Sequence, residues 1–376
     1  MVLAFHFSPV LFQHSSKLAR MKATPLLAFL FLGTLPGLHG ADLREDLRRL
    51  SAVGPEGAGN EEAAKAWKNV AGAGPSALLP LLSKTGKAGA VADNWLRLAG
   101  NTLVDRALKS GTPLPLAELE GFIRQTSNQD AARLLAFDLL AQADGPRAKA
   151  LEITLKNDPV QGLRRGAVAH LIQKAAVLEG EAARQAYKEA LQVVRDEDQT
   201  KTVAEALRKM GETVDLPKHF GFLTRWQILG PFDNTERKGF ETKYAPEADR
   251  SPLPQYDGKT GKISWKPLES ADEYGKIDFN KPFGALKEVT AYAMTTFESR
   301  DAREVELRLG CKNAWKVWVN GEFIFGRDEY HRGQRMDQYK LKCHMRKGAN
   351  TILVKCCQNE QTESWTAEWE FQLRVC

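Results

Sequence analysis

The chain has 376 residues, 43 % of them hydrophobic, and a formal net charge of +6. That length can hold two or three domains, each burying its own core. Residues 1–40 carry Lys17, Arg20 and Lys22 and no acid, so without them the charge falls by three, to +3. A chain so close to neutral lacks the basic footprint of a nucleic-acid binder.

The N-terminal 40 residues read as a secretory signal. Lys17, Arg20 and Lys22 form a basic flank, and Leu26 to Leu35 is an apolar stretch of signal-core length bracketed by Pro25 and Pro36. The stretch is too short to span a bilayer. Cleavage near residue 40 is expected, at the small residues Gly40 and Ala41, which leaves no membrane span; Met21 is an alternative start. An uncleaved anchor is the competing reading. The region has no cysteine, which argues against a lipid-anchored form.

Residues 42 to about 215 read as helical. Asp130 to Ala141 and Arg147 to Leu155 form one pair of helices. From Gln161, the apolar residues Leu163, Ala167, Leu171, Ala175 and Leu178 recur at steps of four and three, the stripe of a helix. Asn157-Asp158-Pro159 precedes it as a start signal. Ala183, Ala186, Ala190 and Val194 mark the next helix, and Thr202 to Met210 another, closed by Gly211. Helix pairs restarting after Asp130, Asp158 and Asp198 are similar to HEAT-type repeats, which must stack to bury their stripes. A plain helical bundle is the alternative. The pattern from Asp42 to Gly111, broken at 72–75 and 86–89, does not reveal which helices pair.

Composition changes near Val214 to His219. Thr224 to Leu229 reads as a strand, residues 233–262 are loop-rich, and Ile263 to Trp265 and Ile277 to Phe279 are short strands. Val305, Leu307 and Leu309 then alternate with Glu306 and Arg308. Trp315 to Val319 and Glu322 to Phe325 flank Asn320-Gly321, the dipeptide that best tolerates the positive φ angles of a type I′ hairpin. Strands are expected at 337–343 and 351–357, with a last strand starting at Trp365. Side-chain parity puts Trp315, with Val317 and Val319, on the core side and leaves Trp318 partly exposed.

All five cysteines lie in the last 66 residues: Cys311, Cys343, Cys356, Cys357 and Cys376. Export permits disulfides, but the odd count leaves at least one thiol over. Cys356 and Cys357 should point to opposite faces of a strand and so cannot bond each other. No metal-ligand spacing occurs among them.

The series Trp226-Gln227-Ile228-Leu229-Gly230-Pro231-Phe232, Tyr256-Asp257-Gly258-Lys259, Lys316-Val317-Trp318-Val319-Asn320-Gly321-Glu322 and Lys347-Gly348-Ala349-Asn350, followed by Ile352-Leu353-Val354-Lys355, resembles a family of exported, planctomycete-type bacterial proteins. These join HEAT-like helices to a galactose-binding-like jelly roll. The resemblance covers roughly residues 220–376 and is similar to the sugar-binding modules beside many glycosidase domains. Cys311-Lys312-Asn313-Ala314 departs from the acidic turn of related domains, so no calcium role carries over.

The resemblance and the pattern together predict an all-α plus all-β multidomain chain. A HEAT-like α-solenoid over 42–215 precedes an antiparallel β-sandwich over 220–376, galactose-binding-like in fold. If each strand crosses the sandwich once, the polar loops 310–314, 327–336 and 358–364 share one end. They supply the candidate ligand residues Asn313, Tyr330, His331, Arg332, Gln358, Asn359 and Glu360, with Trp318 and Trp365 as aromatic partners. An aromatic face beside planar polar groups suits a sugar. The plain alternative is that these groups solvate exposed loops and that Tyr330 covers the core edge.

Catalytic templates fail: the chain has no H-E-x-x-H pair and no G-x-S-x-G elbow, and Gly258-Lys259-Thr260 lacks the first glycine of a P-loop. The expected function is non-catalytic, extracytoplasmic carbohydrate binding without metal or cofactor, with the helices offering a protein partner a second surface. A structural assembly module is the alternative. A glycoside hydrolase using carboxylates such as Asp328, Glu329 and Glu360 ranks behind both.

Overall fold

The computed structural model describes residues 40–248 and 253–376; the signal-peptide reading lies outside the described residues. The chain divides into two compact units at Pro115 and Leu116. Among the described residues no helix is long and apolar enough to cross a membrane.

In the first unit, α1 (Gly40–Ser51) packs on α2 (Asn60–Gly72) and α4 (Ala90–Ser110), with the short α3 (Leu78–Leu82) against α4. That settles the pairing the sequence left open. Leu47, Leu50, Ala66, Val70, Leu81, Leu96 and Leu103 are buried. Small alanines on α2 and α4 are buried alongside the leucines.

The second unit begins with helices in sequence: α5 (Leu116–Arg124), α6 (Asp130–Ala143), α7 (Gly145–Ile153), α8 (Gln161–Ala176), α9 (Gly180–Val193) and α10 (Glu197–Lys209). Each contacts the next. Two buried arginines tie alternate helices together. Arg133 on α6 donates to the Ile123 carbonyl at 2.7 Å and to both carboxylate oxygens of Asp158, just before α8. Arg164 on α8 lies 3.6 Å from Asp196, just before α10. Asp158, behind one helix restart, and Asp196, two residues before the Asp198 of another, therefore anchor arginines of the preceding pair. Removing one partner of such a buried pair would leave an uncompensated charge.

The short α11 (Leu216–Phe220) joins these helices to the strands. Phe220 and Phe222 share a core with Val203, Leu207 and Leu216. The Leu223 amide donates to the Leu373 carbonyl at 2.9 Å. Arg374 donates to the Phe220 carbonyl at 3.1 Å and to Asp337 at 2.8 Å.

Among the described residues twelve strands follow: β1 (Arg225–Asp233), β2 (Tyr256–Asp257), β3 (Lys262–Ile263), β4 (Lys266–Glu269), β5 (Ile277–Asp278), β6 (Val289–Ser299), β7 (Arg303–Cys311), β8 (Ala314–Val319), β9 (Glu322–Arg327), β10 (Tyr339–Met345), β11 (Gly348–Gln358) and β12 (Glu370–Val375). Short helices α12 (Ala245–Ala248) and α13 (Asn280–Phe283) interrupt them. One antiparallel sheet has the order β4-β1-β6-β11-β8-β9, a second β10-β7-β12-β5, and β2 pairs with β3 in a separate two-stranded sheet. The inward residues of the two larger sheets, among them Trp226, Leu307, Leu309, Trp315, Val317, Val354, Trp369 and Phe371, form one core.

The Asn320-Gly321 hairpin is as expected, with φ of +54° and +81°. β1 runs four residues beyond the expected Leu229, and its register with β6 shifts between Leu229 and Phe232. The last strand starts at Glu370, not Trp365. Residues Ser364–Thr366 form a 3₁₀ turn instead, with the Thr366 hydroxyl donating to the Glu363 carbonyl at 2.7 Å.

The outer face of the six-stranded sheet is covered. Phe232, Tyr256, Tyr292, Trp318 and Leu353 cluster there, with Tyr244, Ile263 and Trp265 packed on them. Lys355, fully buried, donates to the Thr242 carbonyl at 2.8 Å and pairs with Glu247 at 2.7 Å. This holds α12 against the sheet.

Candidate functional site

Three connections leave the strands at one end of the sandwich: 312–313, 328–338 and 359–369. Hydrogen bonds show that they meet. The His331 amide donates to the Lys312 carbonyl at 2.6 Å, His331 Nε2 lies 2.9 Å from Asn359 Oδ1, and Lys312 pairs with Glu368. Asn359 Nδ2 already donates to Gln361 at 2.8 Å, so its Oδ1 is the acceptor for His331 Nε2–H. His331 Nδ1 is buried with no hydrogen-bond partner.

Between the connections lies a hollow of about 500 Å³, lined by Arg237, Asp328, Glu329, Tyr330, His331, Arg332, Gln361 and Trp365. Trp365 is 57 % exposed, and the His331 ring meets it edge-on at 5.4 Å. The Arg237 guanidinium sits 5.3 Å from the Tyr330 ring centroid and pairs with both carboxylate oxygens of Glu360. Arg332 and Arg327 lie 3.6 and 3.7 Å from Glu329.

The charges of the hollow differ in character. The hydrogen bond from Arg237 holds the Glu360 carboxyl down at about 2. Burial, and then the neighbouring Glu241, raise the Asp328 carboxyl. Burial also raises the Tyr330 hydroxyl, which accepts from Asn234 Nδ2 at 3.2 Å. Glu360 is thus a fixed counter-charge, while Asp328 faces the hollow with an acceptor pair available. The arrangement offers an aromatic plate, a guanidinium and carboxylate oxygens to a polar ligand.

The nine sequence candidates fall into four groups. Tyr330, His331, Arg332 and Trp365 line the hollow. Asn313, Gln358 and Asn359 are buried and do not line it, but they brace the connections: Asn313 Nδ2 donates to Gln358 Oε1 at 3.1 Å, and Gln358 Nε2 to the Thr366 carbonyl at 3.0 Å. Glu360 stands behind Arg237. Trp318 does not belong to the site. It is 7 % exposed, packs on Phe323 at 5.7 Å, and adjoins the Asn320-Gly321 turn at the opposite end of β8. Parity placed it correctly on the face away from the core, but that face is covered. Tyr330 also packs against Phe240, Ala314 and Cys357, so it caps a small core as well as lining the hollow.

Arg237 escaped the sequence reading. It comes from the irregular stretch Thr235–Phe240, far upstream of the loops, where nothing in the local pattern points to them. No disulfide joins the five cysteines in this structure, and Cys356 and Cys357 face opposite sides as expected, one in the inter-sheet core and the other against Phe240 and Ala314.

No protein-family model matches the chain, and no curated protein matches it. Among solved structures, Kluyveromyces marxianus beta-glucosidase in complex with glucose aligns at 11 % identity over 40 % of this chain and 16 % of its own, with a TM-score of 0.25. Faecalibacterium prausnitzii beta-glucuronidase aligns at 18 % identity over 38 % and 21 %, with a TM-score of 0.24. Pseudomonas fluorescens alkylpurine DNA glycosylase bound to abasic-site DNA aligns at 10 % identity over 89 % and 94 %, with a TM-score of 0.21. The chain thus spans a small part of the two sugar-cleaving enzymes, and scores of this size carry no argument about function.

Proposed function

We propose that this chain is an exported, non-catalytic carbohydrate-binding protein. In this reading the helices are a HEAT-like solenoid that offers a protein-docking surface, and the strands are a galactose-binding-like jelly roll that holds the sugar. The observation that carries the reading is the hollow at the loop end, where exposed Trp365 stands beside Arg332, Asp328 and Glu329. A sugar ring would stack on the indole while its hydroxyls bond the guanidinium and carboxylates.

Both oxygens of Glu360 are engaged by Arg237, which takes that one carboxylate out of the pair a glycosidase needs. Asp328 still faces the hollow, so turnover has to be measured directly. Glycan-array profiling of the mature chain and of the double variant Trp365→Ala/Arg332→Ala tests the proposal. Both side chains are largely exposed, so the variant should fold normally and lose its signal. Unchanged binding by the variant would remove the site, and turnover of any polysaccharide would replace binding by catalysis.

A second reading, an assembly module without sugar recognition, draws on another cleft of the second unit. It measures about 1150 Å³ and is lined by the starts of α6, α8 and α10 together with Arg308, Asp337, Lys340 and Arg374. Partners that co-purify and are lost with Lys201→Glu/Lys340→Glu, with a blank glycan array, would favour it.

A further inference from the structure

We propose that Cys311 and Cys356 form a disulfide that pins the two sheets together directly beneath the loop site. Cys311 ends β7 in the four-stranded sheet and Cys356 lies in β11 of the six-stranded sheet. Both side chains point into the shared core and are 1 % and 0 % exposed. Their sulfurs are 3.8 Å apart, in contact across the inter-sheet space. A bond requires a separation of about 2.05 Å, so the sulfurs must close the remaining gap by side-chain rotation and an approach of the strand ends.

The location ties the pair to the site. Asn313 and Gln358, each two residues beyond one of these cysteines, bond each other, and Gln358 also donates to the Thr366 carbonyl of the 359–369 connection that borders the hollow. A bridge there would fix the strand ends from which two of the three connections depart.

Folded, both thiols are sealed from solvent, so the bond must form while the chain is still closing. One thiolate attacks the disulfide of an oxidant such as glutathione disulfide or a dithiol oxidase, giving a mixed disulfide. The second thiolate attacks the protein sulfur of that bond and expels the oxidant's thiolate. The two electrons leave on the oxidant, which departs as thiols carrying both protons.

The test is refolding of the full chain in a mixture of reduced glutathione and glutathione disulfide, followed by thiol labelling under denaturing conditions and peptide mapping. Three labelled thiols are expected of the five cysteines, with the tryptic peptide holding Cys311 linked to the one that begins at Cys356. Because Cys357 shares that peptide, Cys357→Ser must keep the link and Cys356→Ser must abolish it. Should Cys356→Ser fail to fold, the link in Cys357→Ser decides alone. Five labelled thiols, or Cys311 joined to any other cysteine, would overturn the proposal.

Discussion

The two ends of the sandwich are built on opposite terms. At one end the turns are short and saturated with hydrogen bonds. Asn350, fully buried, bonds the Arg346 amide and carbonyl at 2.8 Å each and the Gly348 carbonyl at 2.8 Å, and receives Asn320 Nδ2 at 2.9 Å. At the other end, two connections of eleven residues each, 328–338 and 359–369, surround a hollow and leave Trp365 and Arg332 in solvent. Loops held on a rigid frame are where recognition concentrates. The closed end supplies rigidity and the open end supplies contacts.

This contrast can be broken from either side. The largest effect is expected at the closed end: Asn350→Ala strips four bonds from one buried group and should cost about 3 kcal/mol of stability. Urea or thermal unfolding would register it, while glycan binding by the remaining folded protein stays intact. Trp365→Ala should do the reverse, lowering sugar affinity about tenfold by titration calorimetry with stability unchanged within about 0.5 kcal/mol. Loss of the fold in Trp365→Ala, or of binding in Asn350→Ala, would erase the division.

Smaller effects sharpen it. Gly321 sits at φ +81° in the hairpin turn, so Gly321→Ala should cost about 1 kcal/mol. The smallest effect is that of acid on the open end. Glu360 is held at about 2, against an ordinary value of 4.5, by Arg237. A depressed carboxyl stabilises the fold above its unfolded value and loses that contribution as pH falls from 4.5 toward 2. Because both partners are nearly half exposed, the loss should be slight. Glu360 therefore contributes no change in sugar binding from pH 8 to 5, and a fall within that window would be traced to Asp328, whose carboxyl is raised by burial.

The sequence exposed what depends on local periodicity. The alternation of Val305, Leu307 and Leu309, the Asn320-Gly321 turn and the helix starts near Asp130 and Asp158 all stand where their spacing put them. The meeting of three connections at one end followed from strand count and antiparallel pairing alone. What stayed hidden depends on distant chain. Parity told that Trp318 faces away from the core, but not that Tyr256 and Tyr292 cover it. Arg237 reaches Glu360 from 123 residues away, and no spacing rule links such positions. The start of β12 was misplaced because Thr366 bonds its own loop, which ends any extended backbone there.

The buried Lys355 carries a consequence for what the molecule can grip. By clamping α12 and the aromatic cluster over the six-stranded sheet, it denies that broad surface to any long polymer that might lie along the strands. Under the proposed reading, a filamentous ligand would meet this sheet at the rim, by its tip or by a branch, and not along its flank.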